Sequence, residues 1–175
     1  MALKSTIFKA ELDLADVDRN YYQAHSLRLA RHSSETDERM MVRLLAFACH
    51  AHERLTFTEG LAQVDEPALW QKDLTGLIEL WIEVGQPDEK RILKACGRAD
   101  QVVVYTYSNS SLIWWNQLAS KLERARNLTV YHVPESAVLA RLAERTMKLH
   151  CTLQEGSLWW TAGDDTLLIE RVKLR

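Results

Sequence analysis

Between positions 77 and 147 the chain alternates three apolar runs with three amphipathic ones, and this order restricts the fold more than any other feature. Residues 77–84, 101–107 and 128–133 read as strands, the second being a β-branched and aromatic run, Val-Val-Val-Tyr-Thr-Tyr. Residues 87–96, 110–124 and 134–147 read as helices, with Gly97 closing the first of them. Strands separated by helices pair in parallel through crossovers, so this half of the chain predicts a largely parallel sheet covered by helices.

The two ends read differently. Residues 6–14 alternate strictly, with Thr6, Phe8, Ala10, Leu12 and Leu14 on one face. The Asp- and Asn-rich stretch 16–20 is a turn, and residues 21–31 return as a second strand, giving an antiparallel hairpin. A long helix follows, capped by Ser34 or Thr36, with Glu35, Asp37 and Glu38 at the positive end of its dipole. Its buried stripe is Met41, Leu44, Leu45, Ala48 and Cys49. Residues 55–57 form a short strand, and Glu66-Pro67 opens a short helical segment reaching Trp70. At the far end, residues 148–154, 157–161 and 166–174 make an antiparallel meander. The expectation is an α/β fold, a mixed sheet flanked by helices with antiparallel hairpins at both ends, in a single domain over residues 1–175.

Bulk properties exclude several function classes. A net charge of −2 and a pI near 6.3 argue against a protein that works through a strongly basic surface, leaving a local patch as the route to nucleic acid. The first residues lack a signal-peptide pattern, and no run of about 18 apolar residues exists to cross a membrane. Cys49, Cys96 and Cys151 sit in apolar patterns and read as reduced core thiols, which suits the cytoplasm. Neither GxGxxG nor a P-loop is present, so no nucleotide cofactor is expected. Zinc has weak support, because His50 and His52 at i, i+2 on a helix diverge and no HExxH or CxxC occurs. In each of the pairs Trp114-Trp115 and Trp159-Trp160, one ring is expected in the core and the other nearer solvent.

Chemistry concentrates around the strand at 77–84. Strict alternation puts Glu79, Trp81 and Glu83 on one face, and a strand buried on both sides should be almost wholly apolar. Two carboxylates there signal either ion pairs with basic neighbours or a hard cation. The next helix carries Lys90, Lys94 and Arg98 on one ridge with Arg91 beside it, Asp73 precedes the strand, and Glu38 opens the long helix. Acids from separate elements beside cations suit metal-assisted phosphodiester chemistry: carboxylates hold Mg²⁺, and Lys or Arg offsets charge on phosphate. The candidates are Asp73, Glu79, Glu83 and Lys90 for catalysis, Glu38, Asp73 and Glu83 for Mg²⁺, and Arg91 and Lys94 for substrate. An ordinary solvated charged helix explains the same ridge without any function.

Five blocks also carry a resemblance. Met1-Ala-Leu-Lys-Ser-Thr-Ile-Phe-Lys-Ala, Leu14-Ala-Asp-Val-Asp-Arg-Asn, Leu29-Ala-Arg-His, Ser34-Glu-Thr-Asp-Glu-Arg-Met-Met and Leu80-Trp-Ile-Glu-Val-Gly-Gln-Pro-Asp-Glu-Lys-Arg-Ile resemble the YaeQ family of small bacterial proteins. The resemblance extends through the final meander. It implies a compact variant of the restriction-endonuclease-like, PD-(D/E)XK fold. That motif wants an acid, then an (Asp/Glu)-X-Lys triplet. Glu83 matches the triplet's acid, Asp73 or Glu79 the earlier one and Glu38 the helix acid, while Gly85 stands in place of the Lys and Lys90 is the substitute cation. Two functions follow: a divergent Mg²⁺-dependent nuclease or nucleic-acid-binding protein, or a non-catalytic, transcription-linked module that binds a protein partner.

Overall fold

A computed structural model describes residues 4–59, 61 and 63–175, so the opening Met1–Leu3 of the first block lies outside the described residues. The alternating N-terminal run forms β1 (Thr6–Asp16), paired antiparallel along its whole length with β2 (Tyr21–Arg31). Phe8, Ala10, Leu12 and Leu14 are buried, as their period of two requires. Helix α1 (Asp37–His50) starts at Thr36, whose hydroxyl accepts from the Arg39 amide. Then come β3 (Leu55–Phe57), β4 (Leu69–Lys72), β5 (Ile78–Val84), α2 (Glu89–Arg98) and β6 (Ala99–Thr106). Helix α3 (Ser111–Leu118) runs into a 3-10 turn, and β7 (Leu128–His132), α4 (Ser136–Ala140) and β8 (Thr146–Gln154) follow. The chain ends with β9 (Ser157–Ala162), β10 (Asp165–Glu170) and β11 (Val172–Lys173).

The described residues build two mixed sheets rather than one. The first has the order β10-β9-β8-β1-β2, with β1 and β8 parallel, so the N-terminal hairpin and the C-terminal meander share a sheet. The second has the order β11-β7-β6-β5-β4-β3, and its parallel centre β5-β6-β7 is the crossover region expected from sequence. Helix α1 lies between the sheets. Its residues Met40 to Cys49 are all buried, so the expected single stripe is instead a helix covered all round. The second sheet is covered on both faces. Ile82, Val84, Val103 and Tyr105 pack with α1 and the first sheet, while Trp81, Val102, Val104 and Val130 pack against Ile92 and Ala95 of α2 and Trp115 of α3. Burial on both faces is why residues 102–105 are uniformly apolar.

Four local expectations are corrected. Residues 66–70 open no helix. Ala68 N–H donates to the Ile82 carbonyl, and β4 joins β5, so sheet pairing overrides the Pro signal. Gly97 lies inside α2, which continues to Arg98. The helix expected over 134–147 is confined to α4, because from Thr146 onward the chain pairs with β1. The expected last strand divides after Glu170, and β11 crosses to pair with β7 of the other sheet. Trp115 and Trp160 are buried and Trp159 is half-exposed, as their pairing suggested. Among the described residues, no helix is long and apolar enough to cross a membrane.

Candidate functional site

Glu83 is the penultimate residue of β5, at the strand's carboxyl end, where open α/β sheets bind ligands. It is 5% exposed, and its Oε1 accepts from Trp81 Nε1 and from Arg91 Nε, each at 2.8 Å. Burial pushes its carboxyl above the ordinary range, opposed by those two bonds and by the charges of Arg91 and Arg39. It lines a cleft of about 430 Å³ together with Arg39, Glu66, Gly85, Gln86 and Arg91. That volume suits a small ligand or one unit of a polymer. A neighbouring groove of about 240 Å³ shares Arg91 and adds Asp65, Lys90, Lys94 and Arg98.

The other expected site residues are dispersed. Asp73 closes the β4–β5 turn: its Oδ1 accepts from the Thr75 amide and hydroxyl and from the Leu77 amide, and the Thr75 hydroxyl chiefly holds its carboxyl below the usual range. That turn stands at the opposite end of β5 from Glu83, roughly 20 Å away at the rise of a strand. Glu79 does not share Glu83's surroundings either. The register slips between Gln71 and Lys72, and the extra residue on β5 breaks the expected alternation. Ile78 therefore packs beside Trp81, whereas Glu79 Oε2 accepts from Gln71 at 2.7 Å and Arg54 at 2.8 Å. Those two bonds, Gln71 first, hold its carboxyl low. Glu38 accepts from the buried Ser136 hydroxyl at 2.7 Å and is not part of the cleft wall. Lys90 is exposed on the groove, and Lys94 Nζ lies 3.3 Å from Asp65. Arg91 reaches the Val64 and Glu66 carbonyls as well as Glu83, bracing that loop against α2.

Mg²⁺ on Glu38, Asp73 and Glu83 does not fit this arrangement, because each carboxylate has its own local partners. Among the described residues, no three His, Cys, Asp or Glu side chains gather as a metal site. Gly85 has a local reason for not being Lys. Its φ is +115°, its amide donates to the Tyr105 carbonyl at 2.8 Å, and a Cβ there would meet open space. The restriction is conformational rather than steric crowding, so Gly85→Lys should cost about 1–2 kcal/mol in urea unfolding.

Sequence reading missed two features of the cleft. Glu66 stands just ahead of β4, and the Ala68–Ile82 hydrogen bond brings it level with the end of β5, into the same cleft as Glu83. Behind Arg39 lies a buried charge network. Glu35 accepts from Arg39 through Oε2 and from Arg43 through Oε1, and Arg43, 0% exposed, also donates to the Ala30 carbonyl at 3.1 Å. Arg39 in turn donates to the Val84 carbonyl. The available signal was Arg43 itself, a lone charge within Met-Met-Val-Arg-Leu-Leu. Elsewhere, His50 Nε2 bonds the Tyr105 hydroxyl at 2.7 Å and burial pushes its pKa down to about 3, so it is a neutral core imidazole.

A family model described as YaeQ protein matches residues 1–171. "Uncharacterized protein YaeQ" of Salmonella typhi is 47% identical over 173 residues, covering 97% of this chain and 96% of the relative. Its Escherichia coli K12 counterpart is 49% identical over 162 residues, covering 91% and 90%. The crystal structure of YaeQ protein from Xanthomonas axonopodis pv. citri superposes with a TM-score of 0.95 at 42% identity, covering 98% of each chain. That of YaeQ protein from Pseudomonas syringae gives 0.94 at 36% identity, covering 98% of this chain and 96% of the other.

Proposed function

The chain belongs to the YaeQ family, and from that premise we propose that it binds the phosphate backbone of nucleic acid in the Glu83 cleft without hydrolysing it. One observation carries the reading: guanidiniums of Arg39 and Arg91 flank a single buried carboxylate in a cleft that opens onto the Lys90, Lys94 and Arg98 groove. Planar guanidiniums and ammonium groups in a row suit successive phosphates. The restriction-endonuclease-like fold that the resemblance to the YaeQ family implies supports the substrate class. The dispersal of Asp73, Glu79 and Glu38 supports binding over catalysis. In this reading Arg91 anchors the cleft wall, and Lys90 and Lys94 meet the backbone.

Fluorescence anisotropy with single-stranded and duplex oligonucleotides tests this across a salt series. Binding should weaken steeply with salt, and Lys90→Gln should reduce the slope of log K against log[salt] by about 1. Glu83→Gln should leave affinity within about threefold, since the amide still accepts from Arg91. Absence of binding at about 50 mM salt defeats the proposal and leaves the protein-partner reading. Mg²⁺-dependent cleavage that Glu83→Gln abolishes defeats it in the other direction, and Glu66 is then the second acid to substitute.

A further inference from the structure

Outside the cleft, the solvent face of the first sheet carries a hydrogen-bonded carboxylate–imidazole–hydroxyl chain. Asp13 on β1 and His150 on β8 are register partners, and His150 Nδ1 lies 3.3 Å from Asp13 Oδ2. His150 Nε2 lies 3.2 Å from the hydroxyl of Thr152, two residues along the same strand and facing the same way. With the imidazole proton on Nδ1 held by Asp13, Nε2 is the acceptor for the Thr152 proton. A hydroxyl within hydrogen-bond reach of a base that a carboxylate orients is the arrangement that activates a nucleophile.

The surroundings supply a place for substrate. Thr152 pairs across the sheet with Trp159 on one side and Ala15 on the other, and the row continues to Leu168 and Tyr22. Trp159 is 45% exposed, Leu168 43% and Tyr22 59%, so the hydroxyl sits within an apolar stripe open to solvent. On the other side of His150, a depression of about 370 Å³ is lined by Glu11, Asp13, Lys148 and Thr161. Such a stripe suits stacking by an aromatic leaving group, and the depression beside the imidazole has room for a small acyl group.

We propose that Asp13, His150 and Thr152 form a second site that hydrolyses activated aryl esters of short carboxylic acids through an acyl-threonine. His150 Nε2 takes the Thr152 hydroxyl proton as Oγ forms a bond to the ester carbonyl carbon. The bond from that carbon to the aryl oxygen then breaks, and the imidazolium returns its proton to the departing phenolate. Water completes the cycle: His150 removes its proton, the hydroxide oxygen bonds to the acyl carbon, and Thr152 Oγ leaves and regains a proton from His150. The amides of β8 and β9 are committed to sheet pairing, so no backbone oxyanion hole faces Thr152. One such donor is worth about 10²–10³ in rate, which restricts the site to esters with good leaving groups.

p-Nitrophenyl acetate is the probe, with phenolate release followed by absorbance and the acetyl group located by fragment mass spectrometry. The wild type should release p-nitrophenolate and carry acetyl on Thr152. Thr152→Val and His150→Gln should each lower the rate at least about tenfold and abolish that adduct. Trp159→Ala should raise KM with kcat largely retained, because it removes binding area and not the relay. Wild-type turnover in Thr152→Val, or acetyl found only on lysines such as Lys148, overturns the proposal. None of these readouts involves nucleic acid or the Glu83 cleft.

Discussion

Glu35→Ala is expected to destabilise the fold by about 3–5 kcal/mol, the usual cost of removing one partner from a buried ion pair. The side chain of Arg43 is 0% exposed and that of Glu35 2% exposed, so the guanidinium left behind has no water to replace its carboxylate. Two of its nitrogens, Nε and Nη1, are already buried without a partner, and its remaining bond is to the Ala30 carbonyl. Burial first, and the nearby charge of Arg39 after it, hold its pKa below the usual guanidinium range, and Glu35 is the group that opposes them. The substitution also removes the carboxylate partner of Arg39, leaving it held at the cleft wall by the Val84 carbonyl. Arg43→Met should behave differently. It removes the buried charge, fills the space with apolar atoms and leaves Glu35 paired with Arg39, so its cost should be well under half that of Glu35→Ala. At about 2–4 °C per kcal/mol for a domain of this size, Glu35→Ala lowers Tm by roughly 6–20 °C. Calorimetry that finds the two variants equally stable excludes an uncompensated buried guanidinium as the cause.

The elements that strict periodicity marks were legible in the sequence, and those decided by long-range pairing were not. Alternation from Thr6 to Leu14 and the run at 102–105 fixed β1 and β6, because burial of one face or of both leaves a local imprint. The division into two sheets left none, since it depends on β8 finding β1 across most of the chain. Glu83 stood out as a charge in an apolar strand, and the structure places it in the cleft. Glu79 stood out for the same reason, but one bulged residue reversed its face, and bulges follow from strand pairing rather than local composition. Glu66 was hidden by its own neighbour: Pro67 signals a helix start as well as an edge strand, and the sheet decided between them. Basic residues on α2 were correctly seen as a ridge, yet Arg91 proved to be occupied by the loop it braces.

Arg91→Met is expected to cost about 2–3 kcal/mol near neutral pH, and most of that cost should vanish when Glu83→Gln is added. The side chain of Glu83 is 6% exposed and that of Arg91 32%, so the carboxylate depends on its partner more than the guanidinium does. In the single variant a buried anion keeps only the Trp81 indole as donor, and the Val64 and Glu66 carbonyls also lose theirs. A neutral amide at position 83 needs no counter-charge. The pH dependence follows from the raised carboxyl. Folded Glu83 keeps its proton above 4.5, where the unfolded chain has lost it, so its contribution to stability is complete below that value and declines as pH rises through the folded pKa. Arg91 supplies two of the effects that hold this pKa down, so Arg91→Met moves it further up. The variant should therefore match the wild type most closely in mild acid and fall behind progressively toward neutral pH. Urea unfolding of the four proteins of the cycle at several pH values measures both effects. A deficit that is the same at every pH, or that Glu83→Gln does not relieve, would show that Arg91 acts only as a brace for the loop and not as the counter-charge of Glu83.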